Sequence, residues 1–261
     1  MAKKANTANF VEFYMLWGLV NGWQIPDFHI TVCEWLEDFG NLGLLMLPRG
    51  HAKSTILDVY NAYRLYKNAD ELILHQGATD PDAYKCSRGT QQVLEKHPLT
   101  WNKQKVKGET QKYWVQGSSD VKHGSMTCRG ILSNVTGARS TFIQNYDVET
   151  PTTTATPESR EKLRYRLSEQ IHILVPGSQR LFIGTPHSFD SLYTQIQEAG
   201  ANCLILRMFQ HEARFTSGEL EVSTTFKPEY LFSGIGTQAK LLNEYDDYKV
   251  EKREHDYLIK L

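Results

Sequence analysis

The junction around residue 47 constrains this chain more than any other feature. Leu44-Leu45-Met46-Leu47 is an unbroken apolar run of strand length, with turn residues Asn41 and Gly43 on one side and Pro48 and Gly50 on the other. Beyond Lys53 the residues Ile56, Leu57, Val59, Tyr60, Tyr63 and Tyr66 recur at helical spacing. The sequence therefore predicts a buried strand that passes into a helix through Pro48-Arg49-Gly50-His51-Ala52-Lys53-Ser54-Thr55. At such a junction the backbone N–H groups of the helix start face an anion, and the helix dipole adds to their field. In a phosphate loop the lysine reaches the β- and γ-phosphates and the following hydroxyl ligates Mg²⁺, roles that fall to Lys53 and Ser54. The loop departs from the strict G-x-x-x-x-G-K-[ST] pattern: Leu47 stands at the first glycine and Ala52 at the second. Read alone, the same junction also suits an ordinary strand–turn–helix with a surface lysine.

The rest of the chain repeats the alternation of strand and helix. Helical patterns are predicted over 9–21, from Ile30 to Phe39, over 82–96 and from Ser159 to Ile173. Apolar strand runs fall at Leu72-Ile73-Leu74, Phe142 to Tyr146, Leu181-Phe182-Ile183 and Cys203 to Leu206. Trp101 to Val135, rich in Lys, Gly and Ser, reads as hairpins and loops. Such alternation implies a mostly parallel sheet covered by helices. A length of 261 residues suits one large α/β domain with a small appended subdomain. The charged stretch Asn243 to Arg253 reads as a linker or an exposed helix.

Composition excludes several classes. A net charge of −1 argues against a protein that coats nucleic acid by charge alone, though not against a local basic channel. Cys33, Cys86, Cys128 and Cys203 lie far apart with no C-x-x-C pair, so they read as buried thiols of a reducing compartment. The apolar segment Phe10 to Val20 is interrupted by Glu12 and is too short to span a bilayer; it reads as an amphipathic helix of a soluble protein.

A phosphate loop needs carboxylates at a neighbouring strand end, one for the metal and one for the attacking water. Asp147 and Glu149 close the strand that ends at Tyr146. Taken by themselves they suit a solvated turn better, and Gln144 and Asn145 are unfavourable residues for a buried strand.

Together these motifs resemble a family. Thr136-Gly137-Ala138-Arg139, then a strand and Asp147-Val148-Glu149, resembles the large terminase subunit of tailed phages, the motors that package double-stranded DNA into proheads. Residues 48–55 are similar to the variant phosphate loop of that family, Arg180-Leu181-Phe182-Ile183-Gly184-Thr185-Pro186 to its coupling motif, and Asn9 to Phe13 with Leu16-Trp17 to its opening helix. The resemblance runs from about residue 9 to residue 215, and the order and spacing of three motifs make it specific.

The resemblance implies a P-loop NTPase fold of the ASCE/RecA-like type over 1–215, with a lid or linker subdomain over 216–261; the family also carries a nuclease domain, but no acidic triad suited to two-metal cleavage follows residue 190, so no nuclease domain or activity is expected in this sequence. It implies ATP and Mg²⁺ as ligands, held by Arg49, Gly50, His51, Ala52, Lys53, Ser54 and Thr55. His29, after Pro26, occupies the place of an adenine reader, although a packing or capping histidine is the favoured explanation. Asp147 and Glu149 supply the carboxylates, with Asp147 and Ser54 on the metal side, and Thr185 senses the γ-phosphate or transmits its loss. Arg139 is implied as an arginine finger, in its own subunit or a neighbour, against the plain alternative of a surface ion pair. Tyr146 departs from the family, which often has two adjacent acids there; the departure leaves hydrolysis weakened or lost as an alternative, and a helicase-like motor as another. Double-stranded DNA, a portal, a small terminase subunit, a homo-oligomeric ring and the host cytoplasm follow from the resemblance alone. Lys103, Lys105, Lys107 and Lys112, interleaved with Trp101, Tyr113 and Trp114, read as a lysine-blunted hairpin edge in preference to a DNA contact, and the cluster Arg160, Lys162, Arg164 and Arg166 does not share one helix face.

Overall fold

The computed structural model describes residues 8–47, 50–135, 137–185 and 191–206, together with the backbone of short strands between 214 and 260. Helix α1 (Phe10–Asn21) opens with a capping box between Asn9 and Glu12 and ends at Gly22 in the left-handed region. Helix α2 (Asp27–Glu37) begins three residues earlier than the apolar pattern alone suggests. Strand β1 (Leu42–Met46), helix α3 (Lys53–Lys67), strand β2 (Ile73–Gly77) and helix α4 (Asp80–Lys96) follow.

The stretch read as hairpins and loops holds β3 (Lys105–Glu109), β4 (Lys112–Val115) and β5 (Met126–Gly130). The first two pair antiparallel. β5, which the sequence did not reveal, lies parallel to β2 inside the main sheet, where its Met126 and Cys128 are buried. Strand β6 (Ser140–Tyr146), helix α5 (Pro157–Glu169) with a short 3₁₀ turn (Gln170–His172), strand β7 (Leu174–Gly184), helix α6 (Leu192–Glu198) and strand β8 (Asn202–Ile205) complete the core.

The eight strands form one sheet in the order β3-β4-β5-β2-β6-β7-β1-β8. Every pair from β5 to β8 is parallel. From β1 the chain crosses over to β2, past the places of β7 and β6; from β7 it crosses β1 to reach β8. Strand order therefore reverses at β1, and in open parallel sheets the crevice beyond the carboxyl ends at such a reversal is where ligands bind.

Successive residues of β1 point to opposite faces. Leu45 joins a core with Phe10, Phe13, Val32, Leu57 and Leu94, under α1 to α4. Leu44 joins a second core with Leu163, Leu167, Phe182, Tyr193 and Ile196, under α5 and α6. Helices thus cover both faces, as the alternation predicted. Phe13 stacks on His97 at 3.7 Å between ring centroids and Phe10 packs edge-on against Tyr60, so α1 is packed on the domain. No described helix is long and apolar enough to cross a membrane.

Gln144 and Asn145, awkward in a buried strand, both have partners. Gln144 accepts from His75 Nδ1 at 3.1 Å and donates to Asn61. Asn145 exchanges hydrogen bonds with Gln170, whose amide also donates to Gln76 at 2.6 Å. A buried amide in a strand is tolerable when its polar atoms are paired in this way.

Beyond β8 the described backbone consists of three antiparallel pairs: β9 (Arg214–Thr216) with β10 (Glu219–Glu221), β11 (Phe232–Ser233) with β12 (Lys240–Leu241), and β13 (Lys249–Lys252) with β14 (Tyr257–Lys260). β13 falls where the sequence suggested a linker or exposed helix. Most of the expected lid subdomain lies outside the described residues.

Candidate functional site

The carboxyl ends of β1, β6 and β7 converge on the start of α3. Gly50 adopts φ 80° and Ala52 φ 59°, so the loop turns through two left-handed residues, one of them carrying a Cβ. Ala52 occupies the N-cap of α3 and supplies no side-chain cap. The helix start thus has no capping side chain from its N-cap residue, and uncapped helix N-termini are places where phosphate binds. Arg49 and Pro48 lie outside the described residues.

Lys53 is the first residue of α3 and is buried, 7 % exposed. Its ammonium donates to the Leu47 carbonyl at 2.8 Å and reaches Thr185 Oγ1 at 3.5 Å. Leu47 lies just beyond β1 and Thr185 just beyond β7, so one lysine bridges two adjacent strand ends. A buried ammonium is costly unless paired. The contacts with Leu47 and Thr185 hold the ammonium at the two strand ends, a position from which it can reach a phosphate bound at the start of α3.

Ser54 is exposed and Thr55 half-buried at the same helix start. Tyr146, at the end of β6, hydrogen-bonds Ser54; burial first, then the nearby Asp147 carboxylate, push its phenol upward, so it stays neutral. Asp147 follows with φ 44°, held by a bond from its N–H to the Ile183 carbonyl at 2.8 Å. Aspartate tolerates the left-handed region better than most residues, and strain of this kind gathers at functional sites. Ser54, Tyr146 and Asp147 line one cavity of about 450 Å³ with Asp58, His75 and Thr150.

Glu149 is buried, and its Oε2 accepts from Ser191 Oγ at 3.0 Å and from the Leu192 N–H at 2.7 Å. It thereby holds the first turn of α6. Tyr193, two residues into that helix, packs against Gly184, where a Cβ would overlap its hydroxyl. Burial first, then the nearby Asp147 and Glu149 carboxylates, raise this phenol. Pro186 and the residues to 190 lie outside the described part.

His51 is buried with its ring 5.3 Å from Phe28. His29 lies next to it in α2, 2 % exposed, with Nδ1 3.1 Å from the Tyr14 hydroxyl. Burial and, second, the neighbouring His51 depress its pKa to about 3, so it is neutral near pH 7. The structure thus places His29 beneath the phosphate loop, in the packing between α1, α2 and residue 51.

Arg139 stands apart. It is exposed at the beginning of β6, whereas Asp147 follows its end, and seven strand residues lie between them. Arg139 lines a separate cavity of about 550 Å³ with Lys122, His123, Arg166 and His172, at the amino end of β6, whereas Lys53 lies at the carboxyl ends of β1 and β7. Lys105 and Lys107 lie on β3, the fully exposed outer strand, and Lys107 and Lys112 sit over the Trp114 ring at 4.3 and 5.0 Å.

Residues that the sequence reading passed over are Tyr193, Ser191 and Asp58. Only Asp58 carried a signal, a carboxylate inside the apolar stripe Ile56, Leu57, Val59 of α3.

No protein-family model matches the chain. Over 198 residues it is 25 % identical to the terminase large subunit of Enterobacteria phage T3, covering 73 % of this chain and 34 % of that protein, so the chain spans about a third of the length of its curated relative. Among solved structures it is similar to the N-terminal domain of the DNA packaging ATPase from bacteriophage phi29, at 15 % identity and TM-score 0.46 over 66 % of this chain and 92 % of that one. It is also similar to the large terminase of a thermophilic bacteriophage, at 13 % identity and TM-score 0.44 over 70 % and 45 %. A third likeness, to Saccharomyces cerevisiae Dbp5 with ADP, has 9 % identity and TM-score 0.48 over 77 % and 52 %.

Proposed function

We propose that this chain is the ATP-hydrolysing motor domain of a phage terminase large subunit, which drives double-stranded DNA into proheads. The observation that carries the reading is Lys53: a buried ammonium at an uncapped helix start, bridging the ends of β1 and β7, with Asp147 at the end of the next strand. Sequence similarity to the phage T3 terminase gives that site its biological setting.

In this reading the triphosphate lies across the start of α3, contacted by the backbone of Gly50, His51 and Ala52 and by Arg49, Lys53 and Thr55. Lys53 exchanges the Leu47 carbonyl for phosphate oxygens. Ser54 and Asp147 would hold Mg²⁺, which when bound neutralises charge on the phosphates. The donor set fits: Mg²⁺ takes one or two carboxylates plus phosphate oxygens and water, and among the described residues no cluster of three metal-ligating side chains competes for it. Asp147 and Glu149 orient the attacking water. Thr185, beside the Lys53 ammonium, registers loss of the γ-phosphate at the end of β7, and Tyr193 against Gly184 carries the shift into α6. Arg139 reaches the site of a neighbouring copy in a ring on the portal, with a small terminase subunit as a further partner in the host cytoplasm. His29 steadies the loop from below and contacts adenine only if α2 moves.

The test is phosphate release from ATP with Mg²⁺, with and without double-stranded DNA, for the wild type and Lys53→Ala. Release lost in the variant supports the reading. Equal release from both would remove it. A second reading, a nucleotide-binding assembly module without turnover, is favoured by Tyr146 at an acid position and by the engagement of Glu149 Oε2 with α6. Binding of a labelled ATP analogue without phosphate release under every condition would select it.

A further inference from the structure

Asp58 lies one helical turn beyond Ser54, on the same face of α3, and both line the cavity that Asp147 enters. The position is built rather than incidental. One carboxylate oxygen packs over the Cα of Gly89 in α4, where any Cβ would overlap it. The Cys86 thiol hydrogen-bonds the carboxylate from the same helix. Oδ1, sealed from solvent, has no hydrogen-bond partner among the described residues. A buried carboxyl oxygen without a partner costs free energy, and native structures keep few of them; burial also pushes the Asp58 carboxyl up to about 8, so near pH 7 it is neutral in this state. A donor that arrives with a ligand resolves the cost.

The site lacks what Asp58 can give. Mg²⁺ at such a site keeps several of its waters, and those waters need acceptors. Tyr146 offers a neutral phenol where a second strand-end acid would stand, and Glu149 Oε2 is taken by α6. Four residues of helix rise by about 6 Å, roughly the reach of a metal–water bond plus a hydrogen bond. The other ionisable groups facing the cavity are His75, Asp82, Lys85, Cys86, Tyr146 and Asp147, of which Lys85 pairs with Asp82 at 2.8 Å.

We propose that Asp58 is a positioning residue of the nucleotide site, its Oδ1, closed off from solvent in this state, opening toward the cavity to accept a hydrogen bond from a water of the cation held between Ser54 and Asp147. The inference rests on the nucleotide reading given above. Its test is the binding of a fluorescent ADP analogue to the full chain, titrated with Mg²⁺, for the wild type, Asp58→Leu, Asp58→Asn and Gly89→Ala. Thermal melts identify the variants that fold. The expected result is a Mg²⁺ midpoint raised about tenfold or more in Asp58→Leu and less in Asp58→Asn, with metal-free binding of the analogue unchanged. Gly89→Ala, which displaces the carboxylate without removing it, shifts the midpoint in the same direction. If Asp58→Leu does not fold, the other two variants decide. Wild-type midpoints in folded variants would overturn the role of Asp58 and leave the nucleotide site standing. A wild type that binds no analogue with or without Mg²⁺ would overturn both.

Discussion

Arg139 and Asp147 stand at opposite ends of the same strand, with the seven residues of β6 between them. At the rise of an extended chain that is roughly 25 Å. An arginine finger must touch the transferred phosphoryl group. The distance therefore assigns any such role for Arg139 to a neighbouring copy. Mixing two inactive variants checks this. Arg139→Ala retains a complete phosphate loop and Lys53→Ala retains the arginine, so the mixture is expected to regain ATP turnover that neither shows alone. Continued silence of the mixture, with association of the chains confirmed, would remove Arg139 from the reaction.

Gly184→Ala tests the packing behind the coupling motif. The added methyl meets the Tyr193 ring and hydroxyl, and relief requires α6 to move. We expect a loss of about 1–3 kcal/mol in chemical denaturation, typical of overpacking. Tyr193→Phe removes a buried hydroxyl that makes no hydrogen bond of good geometry. It is expected to leave stability within about 0.5 kcal/mol of wild type or to raise it. Such a small cost would confirm that shape rather than hydrogen bonding holds the contact.

Tyr146→Asp restores an acid at the end of β6 and frees Ser54 from the phenol. Steady-state turnover is expected to rise about tenfold, the scale on which partners of a metal ligand act. Tyr146→Phe frees Ser54 without adding charge. Equal rates in the two variants would show that the missing acid does not limit hydrolysis.

His29 links stability to pH. Its folded pKa, about 3, lies below the unfolded value of 6.5. Below 6.5 the unfolded chain therefore binds more protons, so this contribution is present above pH 6.5 and is lost as pH falls toward the folded value. The slope is about 1.4 kcal/mol per pH unit for one such group. Denaturation of wild type and His29→Phe between pH 6.5 and 4.5 should differ in slope by about that amount, the variant being flatter. Comparison of slopes cancels other titrations, including that of His75, which burial depresses to about 4. Parallel slopes would mean that His29 is accessible to protons in the folded protein.

Much of this architecture was legible in the sequence. The run from Leu44 to Leu47, the helical period after Lys53 and the alternation downstream specify a parallel sheet because burial on both faces leaves a periodic trace. Asp147 and Thr185 were legible because they end apolar strands. Other features leave no local trace. β5 hides because Met126-Thr127-Cys128-Arg129-Gly130 is short and polar on one face, and its membership in the sheet depends on pairing with the distant β2. The engagement of Glu149 with Ser191 and Leu192, and of Tyr193 with Gly184, joins segments that meet only after folding. The end-to-end separation of Arg139 and Asp147 required knowing the direction of β6 in the sheet.

The paired amides of β6 have a consequence for folding fidelity. Gln144 bonds toward α3 through Asn61 and Asn145 toward the 3₁₀ turn through Gln170, so neighbouring residues are read by opposite faces of the sheet. A slip of one residue turns each amide to the opposite face, so that one of the two polar places receives an apolar neighbour and its partners there lose their hydrogen bonds. Leucines at these positions would bury well in either register and tolerate the error. The amides act as a key that only one alignment of β6 turns fully, and that alignment delivers Asp147, rather than its neighbour, to the cavity beside the start of α3.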